Sequence, residues 1–363
     1  MTKQTDHFLH ALGSISGTSM DGIDICAIET DGKTIRRGFA GMTIAYSDAL
    51  RADLVAIMEK PDSIMTDPLH DLERRVTTEF ANAINSYKKD CAIDLIGCHG
   101  QTILHRPEIA YTRQLINGAL LAKLCDCDCV TQFRVSDMEN GGQGAPLAPL
   151  YHQAIVPPSA YPALVLNLGG VANATFLTED SILAGDAGPA NAILDDFVLR
   201  HTKTPFDHDG ALARRGTVDH TILARFMEDP YFSMPFPKSC DRHQFHALLD
   251  MLAHLDIYDA CATIIECSVA AIQESMKYAP SPIKTCYFCG GGAQNSYFAE
   301  RLQQTLAIAC QNIDHLGFSP DALEAQAFGF LGVRALKGWP LSVPTTTGVN
   351  APCCGGVIYK RPI

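Results

Sequence analysis

The chain has no run of about 20 apolar residues, the length a helix needs to cross a membrane. Its first residues, Met1 to His7, also lack the apolar stretch of a secretory signal. A cytoplasmic protein with no membrane partner is therefore expected. Nor is there a stripe of Lys and Arg, since 28 basic residues stand against 40 acidic ones for a formal net charge of −12. Neutralising a nucleic-acid backbone needs a basic surface, so no nucleic-acid partner is expected, and any phosphate bound should be small and metal-screened. GxGxxG and GxSxG are both missing, and Ala27 stands where a P-loop ending in Gly32-Lys33-Thr34 needs its first glycine. Dehydrogenase and serine-hydrolase chemistry drop away. Zinc has little support: Cys125-Asp126-Cys127-Asp128-Cys129 has no distant partner pair, although alternation on a strand would put its three thiols on one face, and His243 and His246 have no third ligand nearby.

What is present suits a soluble globular protein of two domains, with 363 residues, 47% of them hydrophobic and 19% charged. The 14 cysteines scatter through apolar stretches, as at Cys26, Cys98, Cys286 and Cys289, and read as small buried hydrophobes in a reducing compartment. Two glycine turns stand out, each between apolar runs that read as strands. The first is Ser16-Gly17-Thr18-Ser19-Met20-Asp21-Gly22. Its glycines let an oxyanion approach the backbone, Ser16, Thr18 and Ser19 supply hydroxyls, and Asp21 can attract a magnesium ion that bridges phosphate oxygens. The second, Asn167-Leu168-Gly169-Gly170-Val171-Ala172-Asn173, follows about half a chain later and suggests a duplicated nucleotide-binding architecture.

Between the two turns, helical spacing covers Asp48 to Lys60 and Leu69 to Tyr87. Cys91 to Cys98 reads as a strand ending on His99-Gly100-Gln101-Thr102, where an α/β sheet gathers ligands. Phe133 to Asp137 reads as a polar strand end, and Pro157-Pro158 as the linker between lobes. In the second half, Ala184-Gly185-Asp186-Ala187-Gly188-Pro189 precedes a helix, which places Asp186 at a helix mouth, as a cap or as an ionised general base. Lys238 to Arg242 reads as a basic polar surface loop. Thr285 to Cys289 is a strand ending on Gly290-Gly291-Gly292-Ala293, with a helix over 296–309. Ser319-Pro320-Asp321 caps a last helix that carries Glu324 and runs to Lys337.

Together with Gly141-Gly142-Gln143-Gly144-Ala145-Pro146-Leu147, these motifs closely resemble those of the anhydro-N-acetylmuramic acid kinase family, in the same order and over almost the whole chain. The resemblance implies an α/β, two-lobed actin-like ATPase fold built on ribonuclease H-like domains, with a nucleotide cleft between duplicated lobes. The lobes would be 1–157, with 345–363 packing back, and 158–344. It also implies ATP and Mg²⁺, a small anhydrosugar substrate, a homodimer, and a coupled reaction yielding N-acetylmuramate 6-phosphate in cell-wall recycling. Asp186 resembles the family's general base, with Glu324 aiding the water. Ser16, Gly17, Thr18, Ser19, Asp21, Asn167, Gly169, Gly170, Asn173 and Gly290, Gly291, Gly292, Ala293 would hold the nucleotide, Asp21 acting toward Mg²⁺. His99, Gln101, Thr102 and Arg134 would face the sugar.

Several positions depart from the family pattern. Asp186-Ala187-Gly188-Pro189-Ala190-Asn191 replaces Asp-Thr-Gly-Pro-Gly-Asn or Asp-Cys-Gly-Pro-Gly-Asn, and Gln132 replaces Asp before Phe133-Arg134. Ile116 stands where glycine is usual, and Lys238-Ser239-Cys240-Asp241-Arg242-His243 replaces Lys-Ser-Thr-Gly-Arg-Glu. Another 1,6-anhydrosugar such as levoglucosan, or a nucleotide-binding sensor with impaired catalysis, stays open as an alternative.

Overall fold

The structure, a computed structural model, describes residues 7–17, 20, 22–89, 91–241 and 244–362. It divides into two compact units, 1–155 with 322–363, and 156–321. No helix among the described residues is long and apolar enough to cross a membrane.

The first unit is built on β1 (Leu9–Ser16), β2 (Ile23–Thr30), β3 (Ile35–Gly38), β4 (Met42–Ile44), β5 (Leu95–Arg106), β6 (Tyr111–Leu115) and β7 (Cys129–Thr131). The sheet core runs β3-β2-β1-β5-β7, with β4 on β2 and β6 on β5, and Val357–Tyr359 closes the β7 edge. β1 to β3 pair antiparallel, whereas β1, β5 and β7 are parallel. The second unit holds β8 (Ala163–Leu168), β9 (Val171–Leu177), β10 (Ile182–Pro189), β11 (Thr285–Cys289) and β12 (Ala309–Asn312). Their order, β10-β9-β8-β11-β12, repeats the first pattern with the same strand senses. This ribonuclease H-like arrangement, present twice, is the actin-like ATPase fold. β8 is buried along nearly its whole length, as expected of a strand with both faces covered.

Each unit has its own core. In the first, helix His70–Tyr87 sets Val76, Phe80, Ala83 and Ile84 against Leu12, Ile25 and Ile96, spacing that puts them on one helical face. In the second, helix Ile257–Ser275 is buried almost all round, with Ile264, Ile265, Val269 and Ile272 packed among Leu164, Leu166, Phe176 and Val198.

The observed division departs from the expected one at its second crossing, which falls at 321/322, not 344/345. The reason is helix Leu323–Leu336, which lies directly on β1 and β5. Gly13 and Gly97 pair across those strands. A Cβ at Gly13 would sit 1.6 Å from Ala325 O, and one at Gly97 would sit 2.0 Å from Phe328 O. Bare backbone at both positions lets the helix settle into the sheet, and the sequence pattern alone does not show which sheet it reaches.

Other local differences have similar causes. β5 does not stop at Cys98 but runs on to Arg106, because its second half pairs with β6. The segment after β7 is a helix, Val135–Glu139, instead of a strand end. Cys125, Cys127 and Cys129 are buried but share no strand, since Cys125 ends a helix and Asp126 takes a left-handed turn, φ 44°. The helix after the triple glycine ends at Leu306, leaving Ala309 to begin β12.

Gly13→Ala is expected to lower stability by at least about 3 kcal/mol, the upper end for overpacking a tight contact. The denaturant midpoint of the variant measures it.

Candidate active site

In the first unit the turn between β1 and β2 is pinned from three sides. Ser16 Oγ donates to Gly22 O at 2.7 Å, Gln101 Nε2 to Gly17 O at 3.1 Å, and Arg51 Nε to Met20 O at 3.1 Å. Thr18, Ser19 and Asp21 lie outside the described residues. Gln101 is fully buried, and its amide is committed to protein: Nε2 also donates to Thr102 O, and Oε1 accepts from the Tyr46 hydroxyl. Its contacts are those of a brace for the turn. Thr102 Oγ1 accepts from Gln114 Nε2 at 3.3 Å.

His99, Arg134 and Glu324 come together at one place in this unit. Arg134 Nε donates to His99 Nε2 at 2.8 Å, so that nitrogen is the acceptor and Nδ1 carries the proton, donated to Gly100 O at 3.1 Å. Burial, then the Arg134 charge, holds His99 well below its ordinary pKa of 6.5, so the ring is neutral. Arg134 Nη1 also donates to Gly144 O at 2.6 Å, and burial draws the guanidinium down to about 10 while Glu324 opposes the shift. Phe328, one helical turn beyond Glu324, packs on the His99 ring with centroids 4.5 Å apart. The same helix thus covers His99 and brings an exposed carboxylate near Arg134. Asp137, absent from the sequence-based candidates, ties the 141–147 loop in place. It is buried and accepts from Gly144 N at 2.6 Å, from Thr347 Oγ1 at 2.6 Å and from Ser342 Oγ.

In the second unit three motifs converge at one end of the sheet. The β8-β9 turn presents Gly169 O and Gly170 O to the amides of Ala190, Asn191 and Ala192 at the start of helix Asn191–Thr202. Asn191 Nδ2 donates to Leu168 O at 2.8 Å. Gly290 packs against Asn167 Oδ1 and Gly292 against Asn191, so Gly290 to Ala293 adjoins the hairpin. The triple glycine forms a tight turn over Gly291–Gln294 ahead of helix Ser296–Leu306, which is capped by Asn295.

Asp186 does not stand at a helix mouth. It lies within β10, beside a register shift in its pairing with β9, and the N-cap position belongs to Ala190. One carboxylate oxygen accepts from Asn173 Nδ2 and the other from the backbone N–H of Cys240 at 2.9 Å. The group is 8% exposed, and burial raises its pKa to about 6 against the lowering effect of those two donors. Lys238 is buried as well, contrary to its reading as a surface cation, and donates to Tyr231 O at 2.9 Å. Tyr231, Lys238 and the Cys240 amide were missed as neighbours of Asp186. The signals for them were the aromatic run around Tyr231, Phe232 and Phe236 and the place of Lys238 to Cys240 in a segment that resembles the family pattern. Among the described residues no group of His, Cys, Asp and Glu side chains is placed to hold a metal ion.

A duplicated ribonuclease H-like fold, with a glycine hairpin opening each sheet and one oriented, buried carboxyl, defines a phosphotransferase of the actin-like class. The anhydro-N-acetylmuramic acid kinase family matches residues 9–361. The anhydro-N-acetylmuramic acid kinase of Acidiphilium cryptum is 42% identical over 97% of this chain and 98% of its own. That of Rhodospirillum rubrum is 39% identical over 98% and 96%. The chain belongs to the anhydro-N-acetylmuramic acid kinase family. Among solved structures, the activator of the 2-hydroxyisocaproyl-CoA dehydratase from Clostridium difficile with bound ADPNP gives a TM-score of 0.46 at 12% identity, over 91% of this chain and 96% of that one.

Because the Asp186 carboxyl holds its proton more tightly folded than unfolded, it favours the folded state most at low pH. That contribution is lost as pH rises from the ordinary 3.8 through about 6. Asn173→Ala removes a donor to the charged form and should move the Asp186 titration to higher pH. Carbon NMR of the labelled carboxyl reads this directly.

Proposed function

We propose that the protein opens the 1,6-anhydro ring of 1,6-anhydro-N-acetylmuramic acid with water and transfers the γ-phosphoryl group of ATP to the freed O6. The product is N-acetylmuramate 6-phosphate, recovered in peptidoglycan recycling. Family membership supports the reaction, and the observation that carries the mechanism is Asp186. A buried carboxyl near pKa 6, held by one side-chain and one backbone donor, is ionised at neutral pH and still basic enough to take a proton.

Asp186 accepts a proton from the water whose oxygen bonds to the anomeric carbon. The C1–O6 bond breaks with its electron pair on O6, and O6 bonds to the γ-phosphorus as the bond to ADP breaks. The leaving oxygen of the sugar is thus the nucleophile for phosphorus. No separate acid is needed, so one carboxyl serves where glycosidases use two. Arg134, with neutral His99 as its acceptor, is assigned to the sugar, and Glu324 to the water. The hairpins with Ser16 and Gly17 and with Asn167, Gly169, Gly170 and Asn173 are assigned to phosphates, and Gly290 to Ala293 to the nucleotide. Small side chains and bare backbone at these positions fit an anion approached by amides. Mg²⁺ would come with ATP, held mainly by phosphate oxygens and water, with Asp21 as the candidate carboxylate. This suits a chain whose described residues form no metal cage of their own. When bound it neutralises charge on the phosphates. The enzyme is assigned to the cytoplasm and to a homodimer.

The test is ADP release by pure protein with 1,6-anhydro-N-acetylmuramic acid, compared with levoglucosan. Turnover on levoglucosan alone would overturn the substrate, and no sugar-dependent turnover would overturn the activity. Asp186→Asn should lower turnover by at least about 10²-fold with nucleotide affinity unchanged, and the wild-type kcat should rise with pH through about 6.

A further inference from the structure

We propose that Lys238 is a positioning residue for the base. With Tyr231 it closes a triangle of hydrogen bonds on the Asp186 backbone, and its ammonium sets a buried positive charge within electrostatic reach of the carboxyl. The inference rests on the reading of Asp186 as the general base.

The triangle has one bond per side. Asp186 N donates to Lys238 O at 2.8 Å, Tyr231 O–H donates to Asp186 O at 2.7 Å, and Lys238 Nζ donates to Tyr231 O at 2.9 Å. Three separate segments are joined: β10, the turn Pro230–Ser233, and the chain that carries Cys240. They also touch backbone to backbone. A Cβ at Gly185 would lie 2.7 Å from Lys238 O and 2.9 Å from Lys238 N. The amide of Cys240, two residues after Lys238, is the donor to the Asp186 carboxylate. Whatever fixes Lys238 therefore fixes that donor too.

The lysine is an expensive way to fill this slot if filling were its whole role. It is 3% exposed, and its Nζ lies 4.3 Å, 5.3 Å and 5.7 Å from the ring centroids of Tyr231, Phe236 and Tyr278. A Met would pack among those rings without desolvating an ammonium. Ring faces offset part of that cost, and neighbouring acids offset more. The titratable groups facing Lys238 are Cys240 on its own segment, Glu274 from helix Ile257–Ser275, and Asp186 from β10, in that order of influence. Glu274 also pairs with Lys277 at 2.5 Å, toward the surface. Asp186 is buried, so little solvent screens it from the lysine. Around Asp186 itself the groups are Cys240, Asn173, Tyr231 and Lys238, and the lysine is the cation among them. Its charge favours the ionised carboxyl that burial opposes, and the ionised carboxyl is the form that must start each cycle as a base.

The experiment compares pH profiles of kcat, with KM for ATP and sugar, in wild type, Lys238→Met, Lys238→Arg, Tyr231→Phe and Asp186→Asn, each checked for folding by thermal unfolding. Lys238→Met should lower kcat by about tenfold or more, a cost in reach of a misplaced group. It should also move the acid limb upward by about half a pH unit or more, with both KM values within about twofold of wild type. Lys238→Arg keeps the charge and should return the limb to its wild-type place. Tyr231→Phe opens the triangle without removing the charge and should lower kcat with the limb unmoved. An unmoved limb and full kcat in Lys238→Met, with Asp186→Asn inactive, would overturn the role of Lys238 and leave the base intact. Should Lys238→Met not fold, wild-type kcat in Tyr231→Phe would overturn it instead. Turnover surviving in Asp186→Asn would overturn the base itself.

Discussion

The proposed chemistry of the second unit depends on taking one carboxyl out of water without leaving it unpaired. An isolated buried carboxylate would hold its proton and be useless as a base at neutral pH, while a fully solvated one would be too weak. Asp186 is set between these limits. Burial pushes its pKa up, two donors pull it down, and the balance lies near 6. A strand supplies this setting better than the expected helix mouth. Asn173 is the partner of Asp186 across the ladder with β9, and β10 is the edge strand of its sheet, so its other side is open to the chain that carries Cys240.

In the first unit the corresponding constraint is steric. Helix Leu323–Leu336 can lie on β1 and β5 only because Gly13 and Gly97 present no side chain to it. That close approach carries Phe328 onto the His99 ring and brings Glu324 into the electrostatic reach of Arg134. His99 lies on β5, and Arg134 follows the adjoining parallel strand β7 at the start of helix Val135–Glu139, so the sheet brings them near and the helix Leu323–Leu336 sets what covers them. Three residues far apart in sequence are joined by packing, and none of them reaches the others through a local motif.

The strands were the most legible part of the fold. Apolar runs such as Leu164 to Leu168 and Thr285 to Cys289 have nothing else they could be, and turn glycines marked their ends. Chain sense across the sheets and the home of the last helix were not legible, because both depend on tertiary contact. The helix over 323–336 is apolar on nearly all sides, so periodicity cannot say which sheet it covers. Of the candidate site, the motif residues were found as words: Asp186, His99, Arg134 and the glycine turns. Their partners were not. Gln101 was expected to face the sugar and its amide braces the first hairpin, Lys238 looked like a solvated cation and is buried among rings, and Asp137 was not among the candidates. Hydrogen-bond partners of this kind depend on which backbone atoms arrive, and sequence reports side chains.

The same distinction explains how the chain bears its departures from the family pattern in each unit. Where the family has threonine, this chain has Cys240, whose main-chain N–H, which either residue provides, donates to Asp186 and whose side chain adds a smaller contact. Where it has glycine, this chain has Ala190, whose own amide bonds to Gly170 O and whose methyl is buried in the core of the unit. Ala187 likewise adds a small apolar side chain to that core. Ile116 packs over Gly100, where only a hydrogen atom stands in its way. At Ala187 and Ala190 the local structure tolerates a methyl group, and at Cys240 the main chain still supplies a donor. The geometry that orients the carboxyl is therefore carried by the fold, and sequence drift at these positions leaves it in place.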